Sequence, residues 1–156
     1  YIKHSENNFL PILKSVRFVI DTEIKTGIAK FEYYQDFVKR VSNNKLDILE
    51  FLIRQKKDGK KIAAYGAAAK GNTFLNYCGI KNDLIDFVVD ASPVKQNKLL
   101  PGSHIPVVSE GVLKLEKPDY VIIFPWNIKE EISTQIRYIK DWGGKFVVAI
   151  PNLEIF

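Results

Sequence analysis

Two kinds of hydrophobic spacing divide this chain. From about Leu10 to Thr26 the apolar residues Ile12, Leu13, Val16, Val19, Ile20 and Ile24 recur at the period of a helix. Asn7 and Asn8 are suited to cap it, Pro11 to its first turn and Gly27 to its end. A second helix is predicted from about Tyr33 to Lys57, with Ser42-Asn43-Asn44 as a point where it can break. Phe37, Val38, Val41, Leu46, Leu49, Leu52 and Ile53 form its expected buried face, and Gly59 closes it. From Lys61 onward the pattern changes to short apolar runs separated by helical stretches.

Ile62–Tyr65 is too short for a helix and long enough for a buried parallel strand. Leu84–Asp90, Ile105–Val108, Tyr120–Phe124 and Lys145–Ile150 read as four more strands. Between them stand a helix through Cys78, a short one capped by Ser109 and stopped by Pro118, and a longer one from Asn127 to Gly143-Gly144. Glu130 is positioned in the last as a capping-box partner. Alternation of this kind predicts an α/β fold: a Rossmann-like three-layer domain over 59–156 with a mostly parallel sheet of about five strands, preceded by a helical pair over 1–58.

Composition narrows the partners. With 156 residues, 46% of them hydrophobic, the chain has the size of one domain and enough apolar matter to fill a core. No apolar run approaches the ~20 residues of a membrane span, and the first residues carry no signal-peptide pattern. The single cysteine, Cys78, fits a reducing cytoplasm, and a cytoplasmic location without membrane contact is expected. The net charge of +5 suggests anionic ligands, yet the lysines are dispersed and no zinc-finger, RNP-like or Arg-rich pattern points to nucleic acid. Two histidines and one cysteine without metal-ligand spacing predict no metal site.

Candidate chemistry collects where strands end. Gly66-Ala67-Ala68-Ala69-Lys70-Gly71 joins the first strand to the next helix. Small residues there let a ligand approach the backbone, and the unpaired amides of a first helical turn attract anions. The same glycines also serve a plain tight turn. The middle glycine of a dinucleotide fingerprint and the G-K-[ST] ending of a P-loop are both missing, so neither an NAD site nor an NTPase follows. Asp90 ends the second strand about two dozen positions after Gly66, near the ~20 at which a Rossmann acid meets a ribose, and it equally suits a carboxylate capping its own loop. Trp126 fits stacking on a ring or rim packing. Tyr65 fits an acid or base, or a buried strand-end aromatic. His104 lacks a partner fixed by spacing, and no catalytic residue is assigned.

Four stretches, YGAAAKGNTFLNYCGI, FVVDASPVKQNKLLPGSHIPV, KPDYVIIFPWNIKEEI and GGKFVVAIPNLEI, closely resemble in that order the C-terminal domain of the sugar C-methyltransferases. The likeness covers about Thr22 to Phe156, including the E-x-x-x-G-I run at Glu23–Ile28. It implies a chain of three parts: a small zinc-binding domain, a central domain that holds S-adenosylmethionine, and this Rossmann-like part. The reaction it implies is deprotonation of a sugar carbon beside a keto group and attack of the enolate on the donor methyl.

By that resemblance Tyr65, Gly66, Ala67, Ala68, Lys70, Gly71, Asn72 and Thr73 would face a nucleotide-diphosphate sugar. Asp90, Ser92 and Lys95 would border its nucleoside, and Pro101-Gly102-Ser103-His104 with Trp126-Asn127 would complete the mouth. The family's usual glycine after K-Q is Asn97 here, a departure that bears on the shape of that turn. S-adenosylmethionine would bind the central domain and not this chain. Alone, as part of a longer enzyme or as an accessory subunit to a methyltransferase domain, the chain is expected to be inactive. Two rivals stay open: the NAD-type or sugar-nucleotide-binding domain of a polysaccharide-modifying dehydratase, epimerase or acetyltransferase, and a non-catalytic docking module. An open apolar patch along Ile12-Val16-Val19 would favour the second.

Overall fold

The structure, a computed structural model, describes residues 2–156. They form two compact units, a small one ending at Val41 and a larger one, Ser42–Phe156.

In the first unit α1 (Lys14–Thr26) ends where Gly27 turns left-handed at φ 76°. Its start differs from expectation: Leu13 occupies the cap position with no side-chain bond, and Pro11 and the two asparagines lie before the helix. None of its residues is buried. The following helix, α2 (Phe31–Lys57), runs through Ser42-Asn43-Asn44 without a break.

The second half of α2 belongs to the larger unit, and there Ile48, Phe51 and Leu52 are the buried residues. Of the predicted face, Leu52 is buried and Leu49 partly so, whereas Phe37, Val38, Leu46 and Ile53 are exposed. An unbroken helix turns about 100° per residue, which puts Leu46 and Ile53 on the side away from Ile48 and Leu52.

The sheet contains β1 (Ile62–Tyr65), β2 (Phe87–Val89), β3 (Lys98–Leu99), β4 (Pro106–Val108), β5 (Tyr120–Ile123), β6 (Lys145–Val148) and β7 (Glu154–Ile155), in the order β3-β4-β2-β1-β5-β6-β7. The five inner strands are parallel, and the two edge strands pair antiparallel to β4 and β6. Numbered along the chain, the five parallel strands lie in the order 3-2-1-4-5, that of the dinucleotide-binding fold without its sixth strand, with the direction of winding reversing between β1 and β5.

Side chains alternate across this sheet. Ala64, Val88, Ile122 and Val147 face a core closed by α2 and by α3 (Ala69–Cys78), through Ile48, Leu52, Phe74, Leu75 and Cys78. Ala63, Tyr65, Val121, Ile123, Phe146 and Val148 face the other core. That side is closed by α4 (Gly111–Glu116) and α5 (Lys129–Gln135) through Leu113 and Ile132, and by Ile136 and Ile139 beyond α5.

Two expectations change here. The helix foreseen from Asn127 to Gly143 is three pieces: a 3-10 turn at Trp126–Ile128, α5, and a second 3-10 stretch at Arg137–Trp142. Ile132, Ile136 and Ile139 keep a helix-like spacing across the break, and Glu130 makes no capping bond because Ile128 occupies the cap position. Ser109 likewise leaves the cap of α4 to Glu110. The edge strands were not foreseen. β3 begins just after Asn97, which sits at φ 60° and donates its amide to Val107 O at 2.8 Å. That left-handed conformation is the one glycine serves by default and asparagine tolerates best among the others.

Helix α3 lies close to the sheet because Gly71 has no side chain. A Cβ there would stand 2.7 Å from Phe124 Cβ. Gly71→Ala is therefore predicted to lose about 1–3 kcal/mol by overpacking, against the ~1 kcal/mol that alanine gains in a helix. Asn97→Gly should stay within about 0.5 kcal/mol and Asn97→Val lose about 1–2 kcal/mol. Urea midpoints measure all three, and a Gly71→Ala protein as stable as the parent would contradict this packing.

Candidate functional site

The reversal of strand order leaves a crevice at the carboxyl ends of β1 and β5, where open α/β sheets hold ligands. Gly66 turns the chain out of β1 at φ 95°, and a Cβ on it would meet Pro125 Cδ at 2.6 Å. The turns after β1 and β5 thus touch. The two glycines kept from the dinucleotide fingerprint are those needed for the turn and for helix packing. The position whose glycine lets a pyrophosphate approach is Ala68.

Most of the predicted cradle is closed from within. Gly66 donates to Val89 O at 2.7 Å, Ala67 to Asp90 Oδ2 at 2.8 Å, Ala68 to Gly66 O at 2.8 Å and Asn72 to Ala68 O at 3.0 Å. The amides of Ala69, Lys70 and Gly71 remain without an acceptor among the described residues, and of these residues Ala69 and Lys70 are exposed. The Lys70 ammonium donates to Asn127 Oδ1 at 2.6 Å and stands 4.9 Å from the centre of the Trp126 ring. Lys70, Trp126 and Asn127 are thereby brought together.

Beside them runs an open groove of about 400 Å3 lined by Ala69, Lys70, Thr73, Phe74, Tyr77, Trp126 and Ile150. The Thr73 hydroxyl donates to Ala69 O at 3.1 Å, and Asn72 Oδ1 is buried without a partner. Tyr77 and Ile150 were not foreseen. Tyr77 had a signal, since it follows Thr73 by four and Lys70 by seven on one helical stripe. Ile150 had none.

Asp90 is 8% exposed and holds its own surroundings together. Its carboxylate accepts from Ala67 N, from Ser92 N at 2.9 Å and from Lys95 Nζ at 3.1 Å, which fills three of about four acceptor positions. The expectation of a ribose contact gives way to the loop-capping alternative for this carboxylate. Gly102 and His104 also fall outside the crevice. Their hairpin precedes β4 and packs on the far half of α3, where Asn76 Nδ2 donates to Pro101 O at 3.0 Å. A parallel strand starts at the amino edge of the sheet, opposite the crevice, so these residues do not complete its mouth.

Tyr65 points to the other sheet face, because strand residues alternate. Its hydroxyl accepts from Gln135 Nε2 at 2.8 Å and lies 3.5 Å from Glu110 Oε2. Glu110 also accepts from Gln135 at 2.9 Å and from the Tyr138 hydroxyl at 2.9 Å. Burial, reinforced by Glu110, raises the Tyr65 and Tyr138 pKa values above the ordinary phenol range. This pair of phenols on one carboxylate ties the second layer of helices to the sheet, and sequence gave no sign of it. Across the sheet, burial raises the Cys78 thiol to about 11.

All three shifts favour the protonated, folded form. Unfolding lets these groups lose protons at lower pH, so their contribution is full below about pH 9 and falls as pH rises toward 11. Urea midpoints should decline between about pH 9 and 11, and a thiol reagent should label Cys78 only on unfolding. A midpoint that rises over this range, or native-state labelling at the rate of a free thiol, would contradict the assignment.

Residues 1–151 match the C-methyltransferase C-terminal domain family. The C-methyltransferase NovU of Streptomyces niveus is 35% identical over 141 residues, which are 90% of this chain. The match takes in 34% of that relative, so the chain spans about a third of its length. By the family model and this relative, the chain belongs to the C-methyltransferase C-terminal domain family.

Proposed function

We propose that this domain holds a nucleotide-diphosphate sugar in place for methylation of a sugar carbon by a separate methyl-transfer domain. The observation that carries the reading is the Lys70 ammonium, held by Asn127 and Trp126 beside three amides without acceptors at the strand-order reversal. A diphosphate is the ligand such a group suits: it accepts charge-assisted bonds from the ammonium and further bonds from the amides. The domain's share in catalysis is then orientation, because binding energy from the remote nucleotide fixes the reacting sugar.

S-adenosylmethionine, implied for the intact enzyme, does not fit the residues of this chain. An adenosyl ribose calls for an acceptor at the end of the second strand, where Asp90 is buried and bonded. The turn that would admit the ligand is filled by Pro125 against Gly66. The same two features argue against a nicotinamide dinucleotide. The methyl donor is therefore assigned to the methyl-transfer domain, and this chain alone to binding without turnover.

Lys70→Ala should weaken binding of a nucleotide-diphosphate sugar about 10- to 100-fold, the effect of one charge-assisted bond. In the methyltransferase that contains the domain, KM should rise by a similar factor with kcat little changed. Unchanged affinity and KM would remove the reading.

A second, compatible reading comes from α1. Val16, Val19, Ile20 and Ile24 are spaced to share one face of α1, where Val16 and Val19 are exposed at 46% and 52%, and Ile12 just before the helix is exposed at 73%. Such a surface suits docking onto another domain. Val16→Asp with Ile20→Asp should leave thermal stability unchanged and abolish association with the methyl-transfer domain added in trans. Association that survives the pair of charges would exclude this role for α1.

A further inference from the structure

We propose that this domain pairs with a second copy of itself through the β7 edge, joining the two sheets across a two-fold axis and setting the second halves of the two α2 helices side by side in opposite directions. The surface is separate from the crevice between β1 and β5, and the inference does not depend on what that crevice binds.

The backbone at this edge is open. Phe146 and Phe156 exchange both of their amide bonds, at 2.9 and 3.0 Å. Along an antiparallel ladder such pairs alternate with pairs that exchange none, so Ile155, opposite Val147, turns its N–H and C=O away from β6. Its side chain lies on the same face as that of Val147, the face that α2 covers. There an open groove of about 390 Å3 runs between Asp47, Glu50, Phe51 and Arg54 of α2 and Leu153 and Ile155 of the edge. Phe51, Leu153 and Ile155 supply its apolar part. An edge of two residues is too short to hold a partner by its backbone alone, so the helix must supply the rest.

The order of charges on α2 says which partner fits. Asp47, Glu50, Arg54 and Lys57 follow one another at intervals of three, four and three, which places them on one exposed stripe with the acids first and the bases last. Among the described residues none of the four is engaged in an ion pair. A two-fold interface must be complementary to itself. Antiparallel apposition about the middle of this stripe sets Glu50 against Arg54 of the second copy and Asp47 against Lys57 of the second copy, and the symmetry makes each pairing twice. A parallel arrangement would bring acid to acid and base to base. The same axis lets each Ile155 donate its N–H to the C=O of the other, which uses up the open edge and stops the assembly at two.

Sedimentation equilibrium of the whole chain in the micromolar range tests the inference. The parent should form a dimer that dissociates as salt is raised, because its exposed charge pairs are screened. Glu50→Arg and Arg54→Glu should each weaken it at least about 10-fold, since either reversal sets like charges together twice. The two together restore the opposition and should bring the dissociation constant back to within about 3-fold of the parent. Ile155→Pro removes the outward N–H and keeps the bonds to β6, so it should give a monomer whose urea midpoint at high dilution matches the parent's. A parent that stays monomeric throughout this range, a dimer indifferent to either charge reversal, a double variant that does not recover, or a dimer that survives Ile155→Pro overturns the inference. Association abolished by Val16→Asp with Ile20→Asp while Glu50→Arg leaves it intact belongs to α1 and overturns it equally.

Discussion

The close approach of α3 to the sheet is the constraint from which the rest follows. Gly71 against Phe124 and Gly66 against Pro125 leave no room for a methyl group at either point. They seat the helix so that its buried side, Phe74, Leu75 and Cys78, enters the core. With that side fixed, the helical period sends Lys70, Thr73 and Tyr77 outward together, toward Trp126 and Ile150. The glycines act by letting two layers of backbone meet, and the chemistry sits on the residues that this meeting turns away from the core.

Electrostatics sharpen the picture. Lys56 pairs with Asp86, Lys60 with Asp119, Lys61 with Glu116, Lys95 with Asp90 and Lys129 with Glu154. Such pairs add little stability where they are exposed, and they tie five of the 23 lysines and arginines to carboxylates of the same chain. Lys70 differs in being held by an amide and an aromatic ring, which position it without neutralising it.

The parallel core was legible because fully buried strands are short, apolar and bounded by turn residues, as at Ile62–Tyr65 and Tyr120–Ile123. The edge strands were not, since two exposed residues at Lys98–Leu99 or Glu154–Ile155 carry no periodic signal. The meeting of Lys70 with Trp126 and Asn127 was legible because residues just after parallel strands share one edge of the sheet. Tyr65 was misplaced by the parity of its strand, and Gly102 and His104 by the direction of a hairpin whose antiparallel arm was unseen. Asp90 had the position of a ribose acid, and only the structure shows its oxygens turned to the neighbouring loops. Ile150 meets the groove through tertiary packing alone, which no local pattern encodes.

The most direct test is an amide and indole NMR titration of this chain with a nucleoside diphosphate. The account predicts shifts concentrated at Ala69, Lys70, Gly71, Thr73, Tyr77, Ile150 and the Trp126 indole, with Ser92, Gly102 and His104 unmoved. Shifts centred on Asp90, Ser92 and Lys95, with α3 and Trp126 silent, would contradict it.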